Sequence, residues 1–128
     1  MILIQGESQM LTVELKKNNV LADLSVLASI KNIVTKLSVK TDNGGETEVQ
    51  RYSLNAVPGQ AYGVLTVGGV AGTIVVEAEP FQTKNFPTGT LIAYTEVTKT
   101  NLAYDLTNET KEQYASTIGR VNAAIAVI

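Results

Sequence analysis

The sequence predicts an all-β chain: an antiparallel β-sandwich of about seven strands with one short helix near the C-terminus. Three observations carry that expectation. Polar and apolar residues alternate with a two-residue period over most of the chain. Turn signals rich in Asn, Gly and Pro recur at short intervals, as sandwiches and barrels require. The apolar residues are mainly Val, Leu, Ile and Ala, with only five Tyr, two Phe and no Trp. That mix suits β-branched packing between sheets better than a pocket lined with rings.

In order along the chain, Leu11, Val13 and Leu15 point one way and Thr12, Glu14 and Lys16 the other, as in a half-buried strand. Asn18-Asn19 follows as a turn, because Asn tolerates positive φ. Residues 21–30 are ambiguous between a loop and a helical turn. Ile33, Thr35, Leu37 and Val39 alternate with Val34, Lys36, Ser38 and Lys40 in a second strand. Asp42-Asn43-Gly44-Gly45 closes it into a hairpin whose other arm is residues 46–54. Pro58-Gly59 breaks the chain, and residues 61–67 and 70–79 flank Gly68-Gly69 as a second hairpin. Residues 80–90 carry two Pro and a Gly and read as an irregular connection. Residues 90–99 form a further strand, with Leu91, Ala93, Thr95 and Val97 on one face. Around 109–118 the period changes. Polar residues at Thr107 and Asn108, an early Glu109, Tyr114 and Ile118 four apart, and Gly119 at a C-cap position predict the short helix. Residues 120–128 are the last strand.

A chain of 128 residues fits one domain spanning 1–128. At this size it buries about two-thirds of its unfolded surface and folds without a disulfide or metal. The net charge of −2 and ten scattered Lys and Arg offer no footprint for nucleic acid. Residues 1–7 lack the basic region and apolar length of a signal peptide, and no run approaches the roughly 18 apolar residues of a membrane span. The expectation is a soluble chain made in a cell and used there or carried out within a larger particle.

Catalytic candidates are scarce. With no His, the usual neutral-pH base and commonest metal ligand are missing; with no Cys, thiolate, zinc and iron–sulfur chemistry go too. Glu46 with Glu48 and Glu77 with Glu79 share strand faces, but a glycosidase also needs an aromatic cleft, so solvated faces are the simpler reading. Gly63, Gly68, Gly69 and Gly72 precede the β-branched Thr73-Ile74-Val75-Val76, so they mark a turn and not a phosphate loop. Residues 42–46 offer oxygen ligands without the spacing of a calcium loop. Asn108-Glu109-Thr110 matches a glycosylation sequon that reads more simply as a helix start. The five tyrosines, spread along the chain, suit sandwich edges or an interface better than a carbohydrate face. No catalytic, cofactor-binding or metal-binding residue is assigned, and no cofactor is expected.

The distinctive feature is at the ends. Ala124, Ile125, Ala126, Val127 and Ile128 are apolar on both strand faces, without a charge or Pro to guard an edge. They are either a central strand of the domain's own sheet or a strand that docks on a neighbouring subunit. Ile2 and Ile4 raise the same question. These seven residues are the candidate interface.

Gly6-Glu7, Leu11-Thr12-Val13-Glu14-Leu15 and Ala22-Asp23-Leu24-Ser25 lead into residues 33–39. They are followed by Pro87-Thr88-Gly89-Thr90-Leu91-Ile92-Ala93-Tyr94-Thr95-Glu96-Val97. Over roughly residues 4–98 this pattern resembles the immunoglobulin-like sandwich domains of tailed-phage virion proteins, including baseplate upper proteins and capsid auxiliary or decoration proteins. The resemblance implies a non-enzymatic virion building block, made in the host cytoplasm. Its partners would be the major capsid protein or tail components, with a homo-oligomer as a further option. It carries over no catalytic residue.

Overall fold

The computed structural model describes residues 1–25, 29–101 and 105–124, with the backbone alone at 101 and 105–108. The chain is nearly all β. An eight-stranded sheet in the order β1-β10-β9-β5-β6-β7-β8-β2 curls until it is nearly closed, with β2 touching β10.

The first strands are β1 (Ile2–Ile4) and β2 (Gln9–Glu14), and Leu11 and Val13 of β2 turn inward with Leu15 just beyond. A two-residue ladder, β3 (Lys16–Lys17) with β4 (Val20–Leu21), is closed by Asn18 and Asn19 at φ 53° and 62°, the left-handed region that Asn tolerates. The long β5 (Ile30–Lys40) pairs with β6 (Glu46–Ser53), and Gly44 at φ 87° completes their turn. β7 (Gly63–Val67) and β8 (Thr73–Ala78) form the next hairpin. Its turn is wider than Gly68-Gly69: the Gly68 N–H bonds the Thr73 carbonyl, and the left-handed residue is Gly72.

The connection at 80–90 contains α1 (Pro80–Thr83), a single turn with Pro at its start and reciprocal capping between Glu79 and Gln82. β9 (Gly89–Asn101) then pairs with both β5 and β10 (Asp105–Asn122).

β10 corrects two expectations. There is no helix at 109–118, and the helical turn lies at Pro80–Thr83 instead. Tyr114 and Ile118 share a face in either conformation, because a four-residue spacing is even as well as one helical turn. Glu112 and Ser116 lie on that same half-buried face, while Lys111, Gln113, Ala115 and Thr117 are exposed. Pairing with β9 decides between the two. Gly119 is no C-cap. It sits after a bulge where the Met1 carbonyl approaches so closely that a Cβ would collide with it. The last strand is therefore Asp105–Asn122, with Ala123 and Ala124 following it outside any strand; the expected continuation over residues 125–128 lies outside the described residues.

One cluster gathers the inward residues of both limbs of the sheet: Ile33, Leu37 and Val39 of β5, Leu91 and Val97 of β9, Leu65 of β7, Ile74 and Val76 of β8. Thr35 and Thr95 lie in this apolar core as direct register partners. Their hydroxyls bond each other at 2.9 Å, so neither is left unsatisfied. The two limbs, β1-β10-β9-β5-β6 and β7-β8-β2, meet where β6 runs parallel to β7 through two pairs, Tyr52 with Gly63 and Ser53 with Val64.

Candidate functional site: two open faces and a free sheet edge

The outer face of β6, β5, β9 and β10 carries a depression of about 410 Å³ between Tyr62 and Tyr94. Alternation puts Lys36 of β5 and Tyr94 of β9 outward as neighbours, and Lys36 Nζ stands 5.7 Å from the Tyr94 ring centre. The Arg51 guanidinium stands 5.9 Å from the Tyr62 ring. Each ring thus has a cation against it, a contact worth about 0.5–1 kcal/mol at exposed sites. Carboxylates balance the cations. Glu48 pairs with Arg51, Glu46 accepts from the Tyr94 hydroxyl, and Glu96 accepts from Gln113 and lies 3.7 Å from Lys111. The hydrogen bond to Glu46 raises the Tyr94 pKa above its ordinary value, and that to Glu48 raises Arg51.

Across Tyr62, on the outer face of β7, β8 and β2, lies a larger groove of about 640 Å³. Its floor and walls are apolar and open: Val64 is 74% exposed, Phe81 61% and Met10 59%. Glu77 and Glu79 line it as well. Tyr62 borders both depressions. The tyrosines are therefore partly grouped. Tyr62 and Tyr94 share the first depression, Tyr52 is buried, and Tyr114 is half-buried with its hydroxyl 2.6 Å from Glu112. Burial first, and then Glu112, pushes the Tyr114 pKa up to about 12. Tyr104 lies outside the described residues.

The third feature is backbone. β1 covers β10 at Arg120, Val121 and Asn122 only, and β2 touches β10 without pairing with it, so among the described residues no strand is hydrogen-bonded to the edge of β10 before Arg120.

Of the seven candidate interface residues, Ile2 is 58% exposed on β1, Ile4 is half-buried on the same strand, and Ala124 is exposed beyond β10. Ile125, Ala126, Val127 and Ile128 lie outside the described residues. Leu3, between Ile2 and Ile4, is fully buried. The sequence reading missed Met10, Val64 and Phe81. Met10 and Val64 sit at outward positions of alternating strands, so an apolar residue off-phase was the available signal; Phe81 follows Pro80 in a segment without a period.

Among the described residues no group of three or more Asp or Glu lies close enough to hold a metal ion, and no helix is long and apolar enough to cross a membrane. No protein-family model matches the chain, and no curated protein matches it.

Proposed function

We propose that the chain is a non-enzymatic virion structural protein, an auxiliary or decoration subunit of a phage capsid that acts through protein–protein contacts. The single observation that carries this reading is the continuous open surface formed by the apolar groove at Met10, Val64 and Phe81. Solvent-exposed apolar patches bounded by polar residues mark contact sites on other proteins. A chain without His or Cys adds to it, since the usual nucleophile and base pairs are missing.

The immunoglobulin-like form of the sandwich belongs to the same proposal. In that fold one sheet holds strands B, E and D and the other C, F and G, with a C′ strand in the variable type. Here β2-β8-β7 corresponds to the first set and β10-β9-β5-β6 to the second, in matching order.

Mass spectrometry of purified virions tests the role. The chain should be present in fixed stoichiometry with the major capsid protein. Recovery with tail or baseplate fractions would assign it to an adaptor instead, and absence from the particle would end the proposal.

A carbohydrate-binding module is the second reading, favoured by Tyr62 and Tyr94 bordering one depression. A glycan array on the wild type and on Tyr94→Ala checks it, with binding lost in the variant as the supporting outcome.

A further inference from the structure

From Glu109 opposite Thr100 to Thr117 opposite Ile92, β10 pairs with β9 residue for residue, with an irregularity before Glu109 and another after Thr117. A strand points its backbone N–H and C=O groups alternately to its two sides, so among the described residues this run presents an unpaired ladder on the side away from β9. Natural edges are guarded by Lys, Pro, bulges or shortness. The run 109–117 is long, regular and free of Pro, with Lys111 its only Lys.

We propose that this edge takes a second copy of the chain, β10 against β10, antiparallel about a two-fold axis through Gln113. A two-fold axis normal to the sheet keeps the outward side chains of both copies on one face, so a residue must sit on the axis. With Gln113 there, the whole regular run pairs with itself. Lys111 faces Ala115 and Glu109 faces Thr117 on the outer side; Glu112 faces Tyr114 on the inner side. No like charges oppose, and each Glu112 carboxylate, which accepts its own chain's Tyr114 hydroxyl at 2.6 Å, faces a neutral tyrosine of the second copy and not another carboxylate. Centring on Lys111 or Glu112 sets a charge against itself, which destabilises a cross-strand pair. Centring on Thr110 pairs much of the run with the irregular stretch before Glu109. Centring on Tyr114 brings Glu109 of the second copy opposite Gly119, where Met1 already sits. The charge pattern and the position of β1 thus select one register.

This inference does not depend on the assembly being a virion, and its test is separate. Sedimentation of the full chain over increasing concentration should show the mass rising from 13.6 kDa towards twice that value. Ala115 is exposed, so its variants fold. Ala115→Glu places a carboxylate opposite Lys111 twice per dimer and should tighten association several-fold. Ala115→Lys places like charges there and should weaken it by about tenfold. A chain that stays monomeric overturns the proposal. So does a response of the opposite sign, which would indicate the Thr110 register, or no response to either substitution, which would remove β10 from the contact. Loss of the dimer on deleting residues 124–128, with Ala115→Glu inert, would hand the contact to the C-terminal segment instead.

Discussion

The Tyr52 ring lies so close beneath Gly63 that a Cβ on residue 63 would stand 2.5 Å from Tyr52 Cδ1. These two residues are also a register pair at the short parallel seam joining β6 to β7. Gly63→Ala therefore forces the ring or the seam to move. Overpacking of this kind costs about 1–3 kcal/mol, and a urea denaturation midpoint lowered accordingly is the expected outcome. An unchanged midpoint would mean that the seam is slack.

The Tyr52 hydroxyl donates to Gln82 Oε1 at 3.0 Å, tying β6 to α1. Burial, then the nearby Glu79 and Glu77, raise its pKa far above the ordinary 10.0. A group whose folded pKa is raised contributes stability below its unfolded pKa and loses it as pH climbs towards the folded value. Stability should thus hold up to about pH 10 and fall above it, with Tyr114, at about 12, adding to the same window. Tyr52→Phe should cost about 1 kcal/mol at neutral pH and flatten the alkaline slope in urea titrations. A slope identical to the wild type would refute the assignment.

Thr35 and Thr95 satisfy each other in the core. Thr35→Val leaves the Thr95 hydroxyl buried without its partner and should cost about 1–3 kcal/mol, whereas Thr35→Val with Thr95→Val should recover much of that loss. A double-mutant cycle measures the difference, and strict additivity would contradict the pairing.

Gly119→Ala would drive a Cβ into the Met1 carbonyl, which accepts the Arg120 N–H at 3.1 Å. The start of β1 should lift away from β10. Amide exchange at Arg120 should quicken while the β9 side of the ladder stays protected, and equal protection at Arg120 would show that β1 tolerates the change.

The legible part of the fold was the part governed by local rules. Asn18, Asn19 and Gly44 sit in turns because their backbones need positive φ, and the alternation around Ile33 and Leu91 shows directly which face is buried. Residues 109–118 were misread because Tyr114 and Ile118 fit either period and only long-range pairing with β9 separates the two. Among the described residues the same topology leaves the other side of β10 before Arg120 unpaired, a property no local pattern carries. The faces around Tyr62 depend on Arg51, Val64 and Phe81, which come together only after β6, β7 and α1 are placed.

Hydrogen–deuterium exchange of the full chain at low and high concentration tests most directly whether the open edge of β10 is a contact surface. The alternate amides between Glu109 and Thr117 that point away from β9 should gain protection as concentration rises, while those facing β9 and those of the β5–β6 hairpin stay as they are. Exchange along β10 that is the same at every concentration would contradict the account.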